Sequence, residues 1–222
     1  MELTLNKIEE RVVGALIEKS LTTPDYYPMT LNALTAACNQ KSNRNPVLAL
    51  DETTVARTLD RLRERQLVRE LSGADMRVRK YYHRFPEACA FTEPEVALLA
   101  ELMLRGSQTV GELRSRASRM HEFADLGQVE ATLGALANRE NGAVVVKLER
   151  LAGHKESRFA HLLAGEPDLP AVVDSEEPRE AARVHIVAEN ERIDKLEQQL
   201  SALQNQMDEM CQQFERFREQ FE

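Results

Sequence analysis

The chain has no tryptophan, an aromatic content of only 5%, and three cysteines in 222 residues. Cys38, Cys89 and Cys211 are far apart and odd in number. That excludes a disulfide framework or a CxxC zinc ribbon and suits a reducing compartment. No apolar run approaches the ~18 residues that would span a membrane. The opening MELTLNKIEERVV has no basic stretch followed by an apolar one, so no signal peptide is expected and the location read from the sequence is cytoplasmic. GxxxxGK[ST], GxSxG and HExxH patterns are missing. His83, His121, His154, His161 and His185 lack close Cys or Asp partners. The expectation is a protein that is not an enzyme, with no catalytic residues, no metal, no cofactor and no evident small-molecule ligand.

A net charge of −8 would ordinarily argue against nucleic acid, but the charge is unevenly spread. Residues 1–90 carry 14 Lys/Arg against 12 Asp/Glu, residues 91–165 carry 9 against 10, and residues 166–222 carry 6 against 15. The acidity belongs to the tail. Between Lys41 and Ala90 the balance is 11 basic to 7 acidic. A local basic face is what phosphate attraction requires, and whole-chain charge is a weak guide to it.

Ile8, Val12, Val13, Leu16 and Ile17 recur at helical spacing, which predicts a first helix from about Leu5 to Leu21. TTPDYYP breaks it. Thr30 is placed to cap a short second helix through Cys38. After the polar turn NQKSNRNP, Asp51 caps a third helix with Val55, Leu59 and Leu62 inward. LVREL (Leu67 to Leu71) and RVRKYYHRF (Arg77 to Phe85) then read as a hairpin about SGAD. The order recurs. Thr92 caps a helix through Leu104, Thr109 caps VGELRSRA, Leu126 to Arg139 form a third helix on Val129, Leu133 and Leu136, and AVVVKLER with SRFAHLL forms a second hairpin. Leu16 corresponds to Leu102, Thr30 to Thr109, and Leu59 to Leu133, with the offset shrinking from 86 to 79 to 74 as loops shorten.

Residues 166–178 read as an acidic, proline-containing linker. In residues 179–222, Ile193, Leu196, Leu200, Leu203, Met207, Met210, Phe214, Phe217 and Phe221 alternate steps of 3 and 4. That a/d seam predicts a coiled-coil helix that makes a homodimer. The fold class expected is therefore mainly α with small β-hairpins (α+β). Two tandem winged-helix domains, 1–88 and 89–165, precede the linker and the coiled coil.

The stretches EKSLTTPDYYPMTLNALTAACNQKSNRNPV (Glu18 to Val47) and LMLRGSQTVGELRSRASRM (Leu102 to Met120) resemble the YceH-like family of bacterial proteins, domain of unknown function 480. The resemblance extends over roughly residues 1–165. It implies a tandem winged-helix fold and supplies no catalytic residues.

With Val55, Leu59 and Leu62 inward, Thr54, Arg57, Thr58 and Arg61 fall on the opposite face of the third helix, and Arg65 extends the stripe. Arg and Thr are side chains that reach base edges and phosphates. Lys41, Ser42, Asn43 and Arg44 precede this helix, and Arg77, Arg79 and Lys80 lie on the hairpin, where phosphate contacts are made. The competing reading is a solvated face whose charges pair with Asp60 and Glu64, with the asparagines of the turn serving as caps. Tyr26, Tyr27, Tyr81 and Tyr82 read as packing residues. At the matching positions the second repeat has Ala131, Thr132 and Ala135, with only Arg139 matching Arg65, so it reads as support. The expectation is a dimeric binder of double-stranded DNA, a transcriptional regulator acting through its first repeat. A protein–protein adaptor in a chromosome-organising or other cytoplasmic assembly is the alternative.

Overall fold

The first helix, α1 (Lys7–Thr22), opens on a reciprocal cap. Asn6 Oδ1 accepts from the Ile8 and Glu9 amides, both at 3.0 Å, and the Glu9 carboxylate returns to the Asn6 amide at 3.0 Å. This satisfies amides that a helix start otherwise leaves open. In the computed structural model the described residues are 4–71, 78–150, 156–165 and 167. They lie within one compact unit, Met1–Asp168. The 166–178 linker apart from Pro167, the coiled-coil seam from Ile193 to Phe221, and Arg77 lie outside the described residues.

After a 3₁₀ turn at Pro24–Tyr26 come β1 (Met29–Thr30), α2 (Leu31–Cys38), α3 (Glu52–Glu64), β2 (Val68–Leu71) and β3 (Lys80–His83). Then follow α4 (Phe85–Cys89), α5 (Glu93–Arg105), α6 (Val110–Ala117), α7 (Leu126–Ala137), β4 (Val145–Lys147) and β5 (Phe159–His161). The fold is α+β, helices with two small antiparallel sheets. The first sheet has the order β1-β3-β2, with Met29 opposite Tyr81 and Val68 opposite His83. The second pairs β4 with β5, Val146 opposite Ala160.

The predicted repeat is visible in the element order, and in one feature that periodicity did not reveal. Thr30 both ends β1 and caps α2, accepting from the Ala33 amide at 3.3 Å. In the second half Gln108 sits just before the Thr109 cap of α6 and bridges to Phe159 of β5, with backbone bonds of 3.0 and 2.7 Å. A short pairing thus precedes the second helix of each half. The returning strand expected to reach Phe85 stops at His83. Phe85 and Pro86 begin α4 instead, because proline cannot donate to a ladder but suits a first helical turn. Phe85 stacks on Phe91 with ring centroids 5.3 Å apart.

The boundary expected at residue 88 falls inside α4, and one apolar core runs across it. Val12, Val13, Ala15, Leu16 and Ile17 of α1 are fully buried, as are Ala97 to Ala100, Leu102 and Leu104 of α5. A helix buried on more than one face has apolar partners on more than one side. α1 packs on α2, α3 and β3 of its own half and on α5 of the other. The helices meet closely at Gly14. A Cβ there would lie 3.1 Å from the Leu104 side chain and 3.3 Å from the Met103 Cβ. Among the described residues no helix is long and apolar enough to cross a membrane.

Two helix-interior glycines therefore make a matched test. Gly14→Leu should cost ~1–3 kcal/mol by overpacking the α1–α5 contact. Gly134→Ala on α7, where an added Cβ meets nothing within 4 Å, should stabilise by ~0.5–1 kcal/mol. Urea denaturation of both variants checks the signs.

Candidate nucleic-acid interface

Asp51 starts α3 by accepting from the Thr54 amide at 2.7 Å, and Val55, Leu59 and Leu62 anchor the helix in the core. The five predicted outer-face residues do not stay together. Arg57 and Arg61 are exposed, one turn apart, and among the described residues neither has an ion pair or hydrogen bond. Thr54 is half-buried, and its hydroxyl donates to Asp51 Oδ2 at 2.9 Å, so it serves the cap. Thr58 is not on the outer face. It is 4% exposed, and its hydroxyl donates to the Thr54 carbonyl at 2.8 Å, which satisfies it without solvent. Arg65 is half-buried. It is the residue that ends α3, and its Nη1 meets Glu9 Oε2 of α1 at 3.2 Å.

The turn before α3 is corrected more sharply. Lys41 and Ser42 are exposed as expected. Asn43 adopts a left-handed conformation, φ 56°, and its Oδ1 accepts from Arg105 Nη1 of α5 at 2.9 Å. Arg44, expected on phosphate, is buried and holds Glu18 of α1 with both ends of its fork, Nη1 at 3.0 Å and Nη2 at 2.5 Å. Its Nε and Nη2 also donate to the Ala37 carbonyl at 3.1 and 2.9 Å. Glu18 has a second guanidinium, from Arg119 just beyond α6, which also reaches Glu101 Oε2 of α5 at 3.1 Å. Burial alone would raise the Glu18 pKa. The hydrogen bonds and charges of Arg44 and Arg119 overcome it and hold the carboxylate below its ordinary range. Such a group is spent on structure, because a buried carboxylate needs its partners in place.

On the hairpin, Arg79 is exposed but lies 3.4 Å from Glu70, which also takes Arg63 at 3.2 Å. Lys80 is half-buried on β3, and Arg69 of β2 is exposed. The predicted residues thus divide. Arg57, Arg61, Lys41, Ser42 and Arg79 are exposed, Thr54, Lys80, Asn43 and Arg65 are half-buried, the last two with partners inside the fold, and Arg44 and Thr58 are buried. Asn6 and Lys7 at the start of α1 line a groove of about 490 Å³ with Thr54, Arg57 and Arg61. No sequence signal pointed to them, since some fifty residues separate them from α3.

In the second half the matching helix, α7, carries no Lys or Arg. Along the outer face of α7, Gln128, Ala131 and Ala135 are exposed, Thr132 is half-buried, and Leu126 at its start is 48% exposed. Arg139 turns inward. It donates to the Cys89 carbonyl at 2.9 Å and lies over the Phe91 ring, 4.4 Å from its centroid. Arg65 and Arg139, matched in sequence, are alike in tying a third helix back to the body. Ser20 Oγ and His83 Nε2 are 2.8 Å apart, a pairing not predicted. Ser20 already donates to the Ile17 carbonyl at 2.8 Å, so the ring is the donor and the contact fastens β3 to α1. Among the described residues no His, Cys, Asp or Glu group could hold a metal ion.

Arg44 gives the first test of this sorting. Arg44→Ala leaves the Glu18 carboxylate buried and under-paired, and should cost ~3–5 kcal/mol of stability in thermal or urea unfolding. A loss of less than ~1 kcal/mol, in the range of an exposed pair, would return Arg44 to the surface. A second test concerns the joint between α1 and β5, where Glu10 Oε2 and His161 Nε2 are 3.9 Å apart. Burial raises the Glu10 pKa to about 7, against the lowering effect of Lys7 and Arg11. Burial lowers His161 and His83 to about 4. The raised Glu10 value contributes stability present below 4.5 and lost as pH climbs through 7. The histidines contribute stability present above 6.5 and lost as pH falls toward 4. Above pH 6.5 only the Glu10 slope remains, so Glu10→Gln should remove a decline in stability between pH 6.5 and about 8. An unchanged decline in that variant contradicts the assignment.

Comparison with known proteins gives a consistent family. Residues 5–154 match the family described as "Protein of unknown function, DUF480". The chain is 54% identical over 223 residues to a UPF0502 protein of Geobacter sulfurreducens, covering 100% of both chains. It is 53% identical over 222 residues to a UPF0502 protein of Geotalea uraniireducens, again over 100% of both. A UPF0502 protein of Vibrio atlanticus is 45% identical over 214 residues, 95% of this chain and 96% of that one. The capped helices, the paired hairpins and the Glu18 cluster described above are therefore features of a member of the DUF480 family.

Proposed function

We propose that residues 1–165 are two winged-helix repeats and that the first binds duplex DNA through the outer face of α3. The whole would act as a dimeric cytoplasmic transcriptional regulator, with the C-terminal coiled-coil helix pairing two copies. The observation that carries this reading is the state of Arg57 and Arg61, exposed, one turn apart and unpaired. The chain has acids to spare, 37 Asp/Glu against 29 Lys/Arg, and ties Arg44, Arg65, Arg119 and Arg139 to internal partners. Two arginines left open on a helix that the fold holds by its opposite face suit an anionic partner outside the chain. The bare outer face of α7 supports a division of labour in which the second repeat carries the first.

The adaptor reading would be favoured by an apolar patch over α3. The large apolar side chains that are exposed among the described residues, Tyr26, Val47, Leu71, Val78 and Leu126, are not on α3.

Anisotropy titration of the full chain against labelled duplexes at low salt is the test. Binding tighter than ~100 μM is expected, because that value marks the weak end of ordinary non-specific affinity. Arg61→Ala should cost ~1–3 kcal/mol on a cognate site if the side chain reads a base, and less on random duplex. Failure of every duplex to bind tighter than ~100 μM would transfer the assignment to the adaptor.

A further inference from the structure

β2 is an edge of the first sheet, and the register shows which of its backbone groups are committed. The Arg84 amide donates to the Leu67 carbonyl at 2.8 Å. The pairs that follow are Val68 with His83, Arg69 with Tyr82, Glu70 with Tyr81 and Leu71 with Lys80. Bonded and non-bonded pairs alternate along an antiparallel ladder. A bond between residues 67 and 84 therefore places the next ones at Arg69–Tyr82 and Leu71–Lys80. The amides and carbonyls of Val68 and Glu70 point the other way, off the sheet. His83 agrees, since its amide turns from β2 and donates to the Tyr27 hydroxyl at 2.6 Å. Among the described residues no strand lies on the outer side of β2, and no hydrogen bond reaches its four outward groups. Val68 is 1% exposed, so its two are sheltered from water as well as unpaired. Folded chains normally pair or cover such groups.

This edge borders a concave surface of about 640 Å³, with Asp60, Arg63 and Glu64 of α3 on one side and Val68, Arg69 and Glu70 on the other. A helix wall beside an unpaired strand edge is a geometry that receives an added strand. The charges select what that strand carries. Alternation along β2 puts the Arg69 side chain on the face opposite to that of Glu70. Arg63 lies 3.0 Å from Asp60 and 3.2 Å from Glu70, and Arg79 approaches Glu70 at 3.4 Å. Three carboxylates thus meet two guanidinium groups. Glu64 is exposed, and its carboxylate has no partner among the described residues. Glu70 Oε2 is buried and accepts no hydrogen bond, although Arg63 is near. The Arg63 side chain is 41% exposed and can leave, because a pair so open to water is held weakly. A polyanion is repelled from this groove, whereas a cationic segment is drawn to it.

We infer that the open edge of β2 takes an extended segment of a partner protein, which pairs strand to strand with Val68 and Glu70 and places a lysine or arginine opposite Glu70. The backbone bonds supply the binding, and the cation supplies the selection by completing Glu70 Oε2 in place of Arg63. Cross-strand neighbours of opposite charge favour each other in this way. The edge is separate from Arg57 and Arg61, so the inference holds whether or not the outer face of α3 meets DNA.

Hydrogen–deuterium exchange of the full chain, read amide by amide by NMR, is the test. The probe is an octapeptide of alternating valine and lysine. In the free protein the Glu70 amide should exchange faster than those of Arg69 and Leu71, which are bonded in the ladder. The peptide should slow Glu70 and leave Arg69 and Leu71 as they were, and a peptide of alternating valine and glutamate should do neither. N-methylation on one of the two alternating sets of peptide amides should weaken binding by about tenfold, the worth of a lost backbone bond, while the other set is spared. Glu70→Gln, checked for folding by circular dichroism, should weaken binding by up to about fivefold. If the valine–lysine peptide does not slow the Glu70 amide, if the glutamate peptide slows it equally, or if both N-methylated sets bind alike, the edge is not a strand-docking site. Protection of Glu70 by duplex DNA would overturn the inference, because it puts a polyanion in the groove. Protection already present in the free protein and lost on dilution would overturn the partner assignment, because a second copy of the chain then fills the edge.

Discussion

The buried carboxylate of Glu18 is the constraint on which the arrangement turns. It has no exposed surface, and an ion so placed must be matched by partners of opposite charge with well-directed hydrogen bonds. Arg44 supplies two of them and Arg119 a third. Arg44 comes from the turn that leads into α3, and Arg119 from beyond α6 in the other half. One carboxylate on α1 thereby fixes the path of the polar turn and the seat of the second repeat. Glu101 on α5 receives the remaining arm of Arg119, so the two core helices are joined by charge as well as by the contact at Gly14.

This explains how the chain deploys its arginines. Where the core must be closed, guanidinium groups do it, because their fork meets a carboxylate and a backbone carbonyl together. Arg44 does so at Glu18 and the Ala37 carbonyl, and Arg139 closes α7 onto the Cys89 carbonyl and the Phe91 ring. Arg11, on α1 itself, donates to the Cys38 and Pro46 carbonyls at 3.0 and 2.6 Å. The arginines that remain outside on α3 stand out against that background, and the reading of the surface depends on the contrast.

Much of the frame was legible in the sequence, because caps and apolar spacing are local. Thr30, Asp51 and Thr109 cap the helices they were expected to cap, and Val55, Leu59, Leu62, Val129, Leu133 and Leu136 are all buried. The small pairings at Met29–Thr30 and Gln108 were missed, since two residues carry no alternation to read. The site was less legible. The fate of Arg44 depends on Glu18, 26 residues away in the chain, and that of Arg65 on Glu9, 56 residues away. Neither distance leaves a mark in local spacing. Thr58 followed the outward stripe by position, yet a threonine hydroxyl can satisfy itself on the preceding turn and so tolerates burial. The shared core of the two repeats was hidden for a related reason. α1 and α5 are apolar on more sides than one domain needs, a surplus that becomes informative only once both helices are seen to meet.

The most direct measurement of the central claim is arginine-specific modification of the full-length protein by phenylglyoxal, read residue by residue by mass spectrometry, with and without duplex DNA at low salt. Arg57 and Arg61 are exposed and unpaired, so they should react quickly in the free protein and be protected when duplex is added. Arg44, enclosed around Glu18, should react slowly in both states. If Arg57 and Arg61 are modified at the same rate with saturating duplex as without it, the outer face of α3 is not where this protein meets DNA.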